Sequence, residues 1–139
     1  MTKVMFLCTG NSCRSQMAEG FLRALGKGRF EVHSAGLFPA GLHPRAVAVM
    51  REIGLDISGQ RSKGIDEGLL RQMDTVITLC GNAEMYCPAT PAGVRRLHWP
   101  IEDPVGTTGP EEEIMAAFGR CRDGIKEKVE EFLGSAPPA

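Results

Sequence analysis

The sequence predicts an α/β protein: a four-stranded parallel sheet with helices on both faces, in three layers. Short apolar, β-rich runs alternate with segments whose apolar residues recur at helical spacing. The clearest run, residues 75–79, has the compact apolar character of a strand buried in a parallel sheet. The clearest helical stripe follows Pro110 and consists of Ile114, Phe118, Cys121, Ile125, Val129 and Phe132.

Each predicted element occupies its own stretch of the chain. Strands are predicted at residues 3–7, 31–34, 75–79 and 94–98, and helices at 16–25, 44–53, 65–73 and 111–132. Gly26 and Gly54 end the first two helices. Pro44 opens the second helix, at a position where its missing N–H costs nothing. Polar connections at residues 56–64 and 99–110 complete the pattern.

Length and charge restrict the class of protein. The 139 residues suit one domain, predicted at 1–134 with a frayed tail at 135–139. Sixteen Lys and Arg against seventeen Asp and Glu give a net charge of −1, which does not attract nucleic acid or an acidic membrane surface. No apolar run approaches the roughly eighteen residues of a membrane span, and residues 1–7 are too short for the apolar part of a signal peptide. We therefore predict a cytoplasmic protein with a small substrate.

The chemistry is concentrated between the first strand and the first helix. This stretch reads Cys8-Thr9-Gly10-Asn11-Ser12-Cys13-Arg14-Ser15. The spacing of Cys8 and Arg14 lets a loop direct its backbone N–H groups, the guanidinium and the sulfur at one point, where a tetrahedral oxyanion fits. The same field favours a thiolate, so we predict a depressed pKa and a nucleophilic role for Cys8, with a hydrogen bond from Ser15. The alternative is a buried cysteine beside an unrelated surface arginine.

Two further cysteines, Cys80 and Cys87, follow the third predicted strand. On a regular helix their Cα atoms would lie roughly 10 Å apart along the axis, whereas a disulfide requires about 4.4–6.8 Å. A bond between them would need the segment to unwind, which its glycine and proline make feasible. Beside Cys8 we interpret the pair as a redox relay. Two small buried residues, or a zinc site with His98, are the alternatives.

Asp103 follows the fourth predicted strand in an Asp-Pro pair. A carboxylic acid there could protonate a departing oxygen, although most such pairs are turns. Because the carboxyl ends of parallel strands meet at one edge, we expect Cys8, Cys80 and Asp103 to converge. Cys13 is interpreted as a small filler within the loop and Cys121 as core packing.

Several stretches together resemble the thioredoxin-coupled arsenate reductases over essentially the whole chain. They are residues 8–19, the Ser34-Ala35-Gly36 turn, Thr78-Leu79-Cys80 with Cys87-Pro88, and Asp103-Pro104. That family shares its fold with the low-molecular-weight protein tyrosine phosphatases, whose anion loop has the same form. The resemblance implies a low-molecular-weight phosphatase-like sheet and a monomer.

The resemblance also implies roles for individual residues. Cys8 would attack arsenate held by Arg14 while Asp103 assists the loss of an oxygen. Cys80 would then attack the Cys8 sulfur to form a disulfide, and Cys87 would attack Cys80 in turn. Reduced thioredoxin would supply the electrons, so no bound cofactor and no metal are expected. Phosphate or sulfate would compete with arsenate. The implied oxyanion-binding residues are Thr9, Gly10, Asn11, Ser12, Cys13 and Arg14.

Two other functions remain open at this point. One is hydrolysis of phosphate monoesters through a Cys8 phosphoenzyme, and the other is oxyanion binding without catalysis. The phosphatases usually place a pair of tyrosines after the Asp-Pro to frame an aryl substrate, but Val105 and Gly106 follow here. A binding module leaves the nucleophile and the relay cysteines unexplained.

One departure from the resembled family concerns a cation. Some members hold potassium beside the anion loop, using residues that match Asn11 and Glu19 together with a Thr and an Asp. Those last two positions are Arg61 and Lys63 here. Because two positive charges oppose a cation, we expect the Lys63 ammonium to take the ion's place beside Glu19.

Overall fold

Strands and helices alternate through the computed structural model, which describes residues 1–135. The strands are β1 (Thr2–Cys8), β2 (Phe30–Gly36), β3 (Thr75–Thr78) and β4 (Arg95–His98). The helices are α1 (Arg14–Leu25), α2 (Pro44–Arg51), α3 (Glu67–Arg71), α4 (Gly81–Tyr86) and α5 (Glu111–Ser135). A short 3-10 helix occupies Pro104–Gly106.

The four strands form one parallel sheet in the order β2-β1-β3-β4. Cys8 at the end of β1 pairs with Gly36 of β2, and Leu7 pairs with Thr78 of β3. The carboxyl ends of these strands therefore lie at one edge of the sheet, where ligands bind in open α/β sheets. The predicted fold class is confirmed.

Alternate residues of β1 pack against different layers. Val4 and Phe6 belong to the core shared with α1, α2 and α5, whereas Met5 and Leu7 pack with residues of α3 and α4. All four side chains are at most 1% exposed. Since successive side chains of a strand point to opposite faces, one buried strand joins both halves of the core and produces three layers.

The observed bounds differ from the predicted ones in the segments that carry the cysteines. Helix α1 begins at Arg14 rather than residue 16, because the Met17 N–H donates to the Cys13 carbonyl at 2.9 Å. Helix α4 was not predicted at all. Its six residues are too few for a periodic apolar pattern, and its first turn is stabilised by the Cys80 sulfur, which accepts the Ala83 N–H at 3.3 Å.

The C-terminal helix is longer than predicted. Ser135, assigned to the frayed tail, is the last residue of α5, and residues 136–139 of that tail lie outside the described residues. Within residues 1–135, none of the helices combines the length and the hydropathy needed to cross a membrane.

Candidate active site

The loop after β1 is held by hydrogen bonds to its carbonyl groups. Four backbone N–H groups between β2 and α2 donate to carbonyls of the loop at 2.9–3.3 Å. These bonds run from Leu37 to Cys8, Phe38 to Thr9, Ala40 to Gly10 and His43 to Ser12. With its carbonyls bonded on the outside, the loop can line its inner side with N–H groups, as an anion site requires.

Asn11 fixes the shape of this loop from within. Its φ of 46° lies in the left-handed region, which asparagine adopts more readily than most residues. Its buried side chain donates to the Ser15 hydroxyl at 2.8 Å and accepts the Lys63 backbone N–H at 2.8 Å and the Gln16 amide at 3.1 Å. A turn of this kind within an anion loop forms a concave nest of N–H groups.

Gly36 allows β2 to approach the loop closely. A Cβ at this position would lie 2.6 Å from the Asn11 nitrogen and 2.9 Å from the Thr9 carbonyl oxygen, so no other residue fits without displacing the loop. The supporting segment at residues 37–43 was not predicted as part of the site, and residues 61–64 were expected there only through Arg61 and Lys63. A glycine at the end of a strand, which marks close approach of backbone, was the signal for them.

Arg14 and Asp103 meet at the mouth of the loop. The Arg14 guanidinium is 93% buried, donates to the Ile101 carbonyl at 3.0 Å and lies 3.4 Å from an Asp103 carboxylate oxygen. The Arg14 Nε is buried and has no hydrogen-bond partner within residues 1–135. A bound oxyanion could accept a hydrogen bond from this N–H group and so supply the partner that it lacks. The Asp103 side chain is half exposed and therefore open to substrate.

Cys8 does not carry the depressed pKa that the loop predicts. Its buried thiol is hydrogen-bonded to the Cys80 sulfur, and this bond together with burial raises the Cys8 pKa. The Arg14 guanidinium and the Ser15 backbone N–H act in the opposite direction but do not prevail. The depressed pKa predicted for Cys8 is therefore wrong, because the neighbouring Cys80 and burial outweigh the effect of the loop. The Ser15 contact with Cys8 comes from its backbone, while its hydroxyl accepts from Asn11.

The pKa of Cys80 is shifted in the opposite direction. The hydrogen bond from Cys8 lowers its pKa from 9.0 to about 5, assisted by the Thr9 hydroxyl, the Ala83 N–H and the Arg14 charge, while burial opposes the shift. The Thr9 Oγ1 lies 3.1 Å from the sulfur. The anion loop therefore supports the ionised form of the second cysteine as well as enclosing the first.

Cys87 lies at the other end of α4 from Cys80. It is half-buried, its thiol donates to the Pro88 carbonyl at 3.4 Å, and burial raises its pKa. Because six helical residues separate the two cysteines, α4 must open before their sulfurs can bond.

The remaining cysteines lie in the core. The Cys13 and Cys121 side chains are both buried, and the neighbouring Cys121 thiol together with burial raises the Cys13 pKa. Cys13 therefore belongs to the anion loop through its backbone, and its side chain packs against α5. Cys121 has the core position that the helical stripe predicts.

Cationic side chains already surround the buried Glu19 carboxylate. Arg23 lies 2.9 Å and the Lys63 Nζ 3.8 Å from its oxygens, and the Ser34 hydroxyl donates to it. Burial lowers the Lys63 pKa, although Glu19 acts against this. These residues do not fit a potassium ion. The Lys63 ammonium lies beside Glu19, as the sequence predicts.

A cysteine inside an anion loop, placed at the carboxyl edge of a parallel sheet with an arginine and a carboxylate, defines an enzyme that attacks tetrahedral oxyanions through sulfur. Residues 3–136 match the family described as low molecular weight phosphotyrosine protein phosphatase. The chain belongs to this family.

Its relatives include arsenate reductases. One from Bacillus subtilis is 50% identical over 129 residues, which cover 93% of both chains. A solved arsenate reductase in the phosphate binding state is 40% identical, with a TM-score of 0.81 over 99% of this chain and 100% of its own. A thioredoxin-dependent arsenate reductase from Corynebacterium glutamicum is 30% identical, with a TM-score of 0.67 over 95% of this chain and 63% of its own. The resemblance to arsenate reductases is confirmed.

Proposed function

We propose that this chain reduces arsenate to arsenite in arsenical resistance, with Cys8 as the nucleophile and reduced thioredoxin as the electron donor. The observation that carries the proposal is the pairing of Cys8 with Cys80 at the anion loop, where the Cys80 sulfur lies 3.1 Å from the hydroxyl of Thr9, the neighbour of Cys8. It combines a sulfur that can bond arsenic with a thiolate that can attack that sulfur. A phosphatase needs only the first.

The first step is a condensation without change of oxidation state. The Cys8 sulfur bonds to arsenic, and one arsenate oxygen leaves as water after taking up protons from Asp103 and from the Cys8 thiol. Arg14 and the loop N–H groups hold the remaining oxygens. The 3.4 Å contact between Asp103 and Arg14 supports this role for the carboxyl group.

The second step transfers two electrons. The Cys80 thiolate attacks the Cys8 sulfur and forms a disulfide. The sulfur–arsenic bond breaks, and its electron pair passes to arsenic and reduces it from As(V) to As(III). Arsenite then leaves. Cys80 is suited to this attack because its lowered pKa favours the thiolate and because its sulfur lies at the anion loop, 3.1 Å from the Thr9 hydroxyl.

The third step moves the disulfide away from the anion loop. Cys87 attacks Cys80, so Cys8 leaves as a thiolate and the Cys80–Cys87 disulfide becomes the substrate of thioredoxin. The thioredoxin-dependent relative supports this partner, and the relative in the phosphate binding state supports oxyanion binding. None of the five cysteines is in a disulfide, which suits a protein of the reducing cytoplasm. We propose that the protein works there as a monomer.

Cys87→Ser tests the relay. With arsenate and no thioredoxin, this variant should release one arsenite per molecule and stall as a Cys8–Cys80 disulfide, detected by peptide mass mapping. Unmodified protein should instead accumulate the Cys80–Cys87 disulfide. Repeated turnover of the variant with thioredoxin would show that thioredoxin reduces the Cys8–Cys80 disulfide directly and that Cys87 is not needed.

A further inference from the structure

A buried threonine anchors α4 to the sheet. The Thr78 hydroxyl donates to the Glu84 carboxylate at 2.7 Å and lies 2.8 Å from the His98 Nδ1. Because the single hydroxyl proton is used toward Glu84, the His98 Nδ1–H must donate to Thr78. One chain of hydrogen bonds therefore runs from β4 through β3 to the helix that separates Cys80 from Cys87.

Glu84 also lies against a cation beside Cys87. Its carboxylate is 3.8 Å from the Arg96 Nη2, and both side chains are partly exposed. Arg96 lowers the Cys87 pKa and Glu84 raises it, while burial raises it further. The two charges thus act on the same thiol with opposite sign while α4 is folded.

We propose that Glu84 is a positioning residue that restrains the second disulfide exchange, and that Arg96 promotes this exchange once α4 opens. Folded α4 keeps Glu84 on Thr78 and Arg96. Unwinding α4 separates Glu84 from both, which leaves the Arg96 charge to stabilise the Cys87 thiolate. This role rests on the relay proposed above.

The exchange is balanced without an external oxidant. The Cys87 thiolate attacks the Cys80 sulfur of the Cys8–Cys80 disulfide, the Cys80–Cys87 bond forms, and Cys8 departs as a thiolate with the electron pair of the broken bond. The groups that set the ionisation of Cys80 are on the anion loop and the first turn of α4, and neither Glu84 nor Arg96 is among them. The first exchange should therefore be independent of this pair.

A single-turnover experiment separates the two exchanges. Reduced protein is mixed with arsenate without thioredoxin, quenched with acid at intervals, alkylated and mapped by mass spectrometry. Glu84→Gln should convert Cys8–Cys80 to Cys80–Cys87 roughly two- to five-fold faster and Arg96→Gln slower by a similar factor, the range that a partly exposed charge pair supports. Formation of the Cys8–Cys80 disulfide should be unchanged in both.

The opposite signs are the decisive result. If the ion pair were merely structural, loss of either partner would change the rate of the second exchange in the same direction. Changes of the same sign in Glu84→Gln and Arg96→Gln, or no change in either, would therefore overturn the proposal. Arg95→Gln is the matched control, since Arg95 precedes Arg96 on β4 and points to the other face of the sheet. Absence of the Cys8–Cys80 disulfide in Cys87→Ser under the same conditions would instead refute the relay itself.

The threonine anchor offers an independent check on the same rate. Thr78→Val removes the hydroxyl that holds Glu84 and should accelerate the second exchange, with faster hydrogen exchange in α4. Thr75→Val removes another buried hydroxyl at the far end of β3 and should leave that rate unchanged. Equal effects of the two variants would mean that general loosening of β3, rather than release of Glu84, changes the rate.

Discussion

The Thr9 hydroxyl lies 3.1 Å from the Cys80 sulfur, although 71 positions separate the two residues in sequence. The contact exists because β1 and β3 are adjacent parallel strands, with the Leu79 N–H bonded to the Leu7 carbonyl at 2.8 Å just before the two loops diverge. The predicted anion loop therefore also contacts the cysteine to which we assign the second attack.

The ionisation of Cys80 should be measurable directly. Hydrogen-bond donors favour the thiolate, so ultraviolet thiolate absorbance should appear as the pH rises through about 5 and be absent in Cys80→Ser. Cys8→Ala removes the largest stabilising donor and should move the transition to higher pH, whereas Cys8→Ser keeps a donor and should move it less. An unchanged midpoint in Cys8→Ala would show that Cys8 does not share its proton with Cys80.

The two half-reactions should separate in Cys80→Ser. The anion loop distinguishes poorly between phosphate and arsenate, which are tetrahedral oxyanions of similar charge, so only the relay makes a reductase. We expect this variant to retain slow hydrolysis of an aryl phosphate and to lose arsenate reduction, measured as thioredoxin-coupled NADPH oxidation. Cys8→Ser is the control and should lose both activities. Equal loss of both in Cys80→Ser would assign Cys80 a structural role.

Gly36→Ala should damage the anion loop. The added Cβ would lie 2.6 Å from the Asn11 nitrogen, and relieving such a contact typically costs about 1–3 kcal/mol in stability. We expect a lower melting temperature and a higher arsenate Michaelis constant. In Gly124→Ala the new Cβ meets nothing within 4 Å, so that helix variant should keep its arsenate affinity. Normal affinity in Gly36→Ala would mean that the loop tolerates displacement.

Potassium should have no specific effect on this protein. Lys63 and Arg23 already face the Glu19 carboxylate, and a unit charge at 4 Å opposes a cation by about 4 kcal/mol at an effective dielectric of 20. Replacing potassium by sodium at constant ionic strength should leave the arsenate Michaelis constant and the melting temperature unchanged. Lys63→Asp should make both sensitive to potassium. Potassium dependence in the unmodified protein would contradict this account of Lys63.

The sequence by itself determined the fold class and the positions of the reactive residues. Its alternating strands and helices required a parallel sheet, and such a sheet places residues that follow its strands at one edge. Cys8, Cys80 and Asp103 could be selected on this basis. Arg14 could be selected because its spacing from Cys8 is a local property of one loop.

Only the tertiary structure decided the direction of the pKa shift at each of the two sulfurs. A neighbouring thiol and burial reverse the pKa shift that the loop alone predicts for Cys8, and the groups that lower the Cys80 pKa come from the anion loop and from α4. The same limit applies to α4, whose six residues are too short for a periodic pattern, and to the Glu84 contacts with Thr78 and Arg96. Ionisation depends on charges and donors a few ångströms away in space, and these distances are set by the packing of distant segments rather than by local sequence.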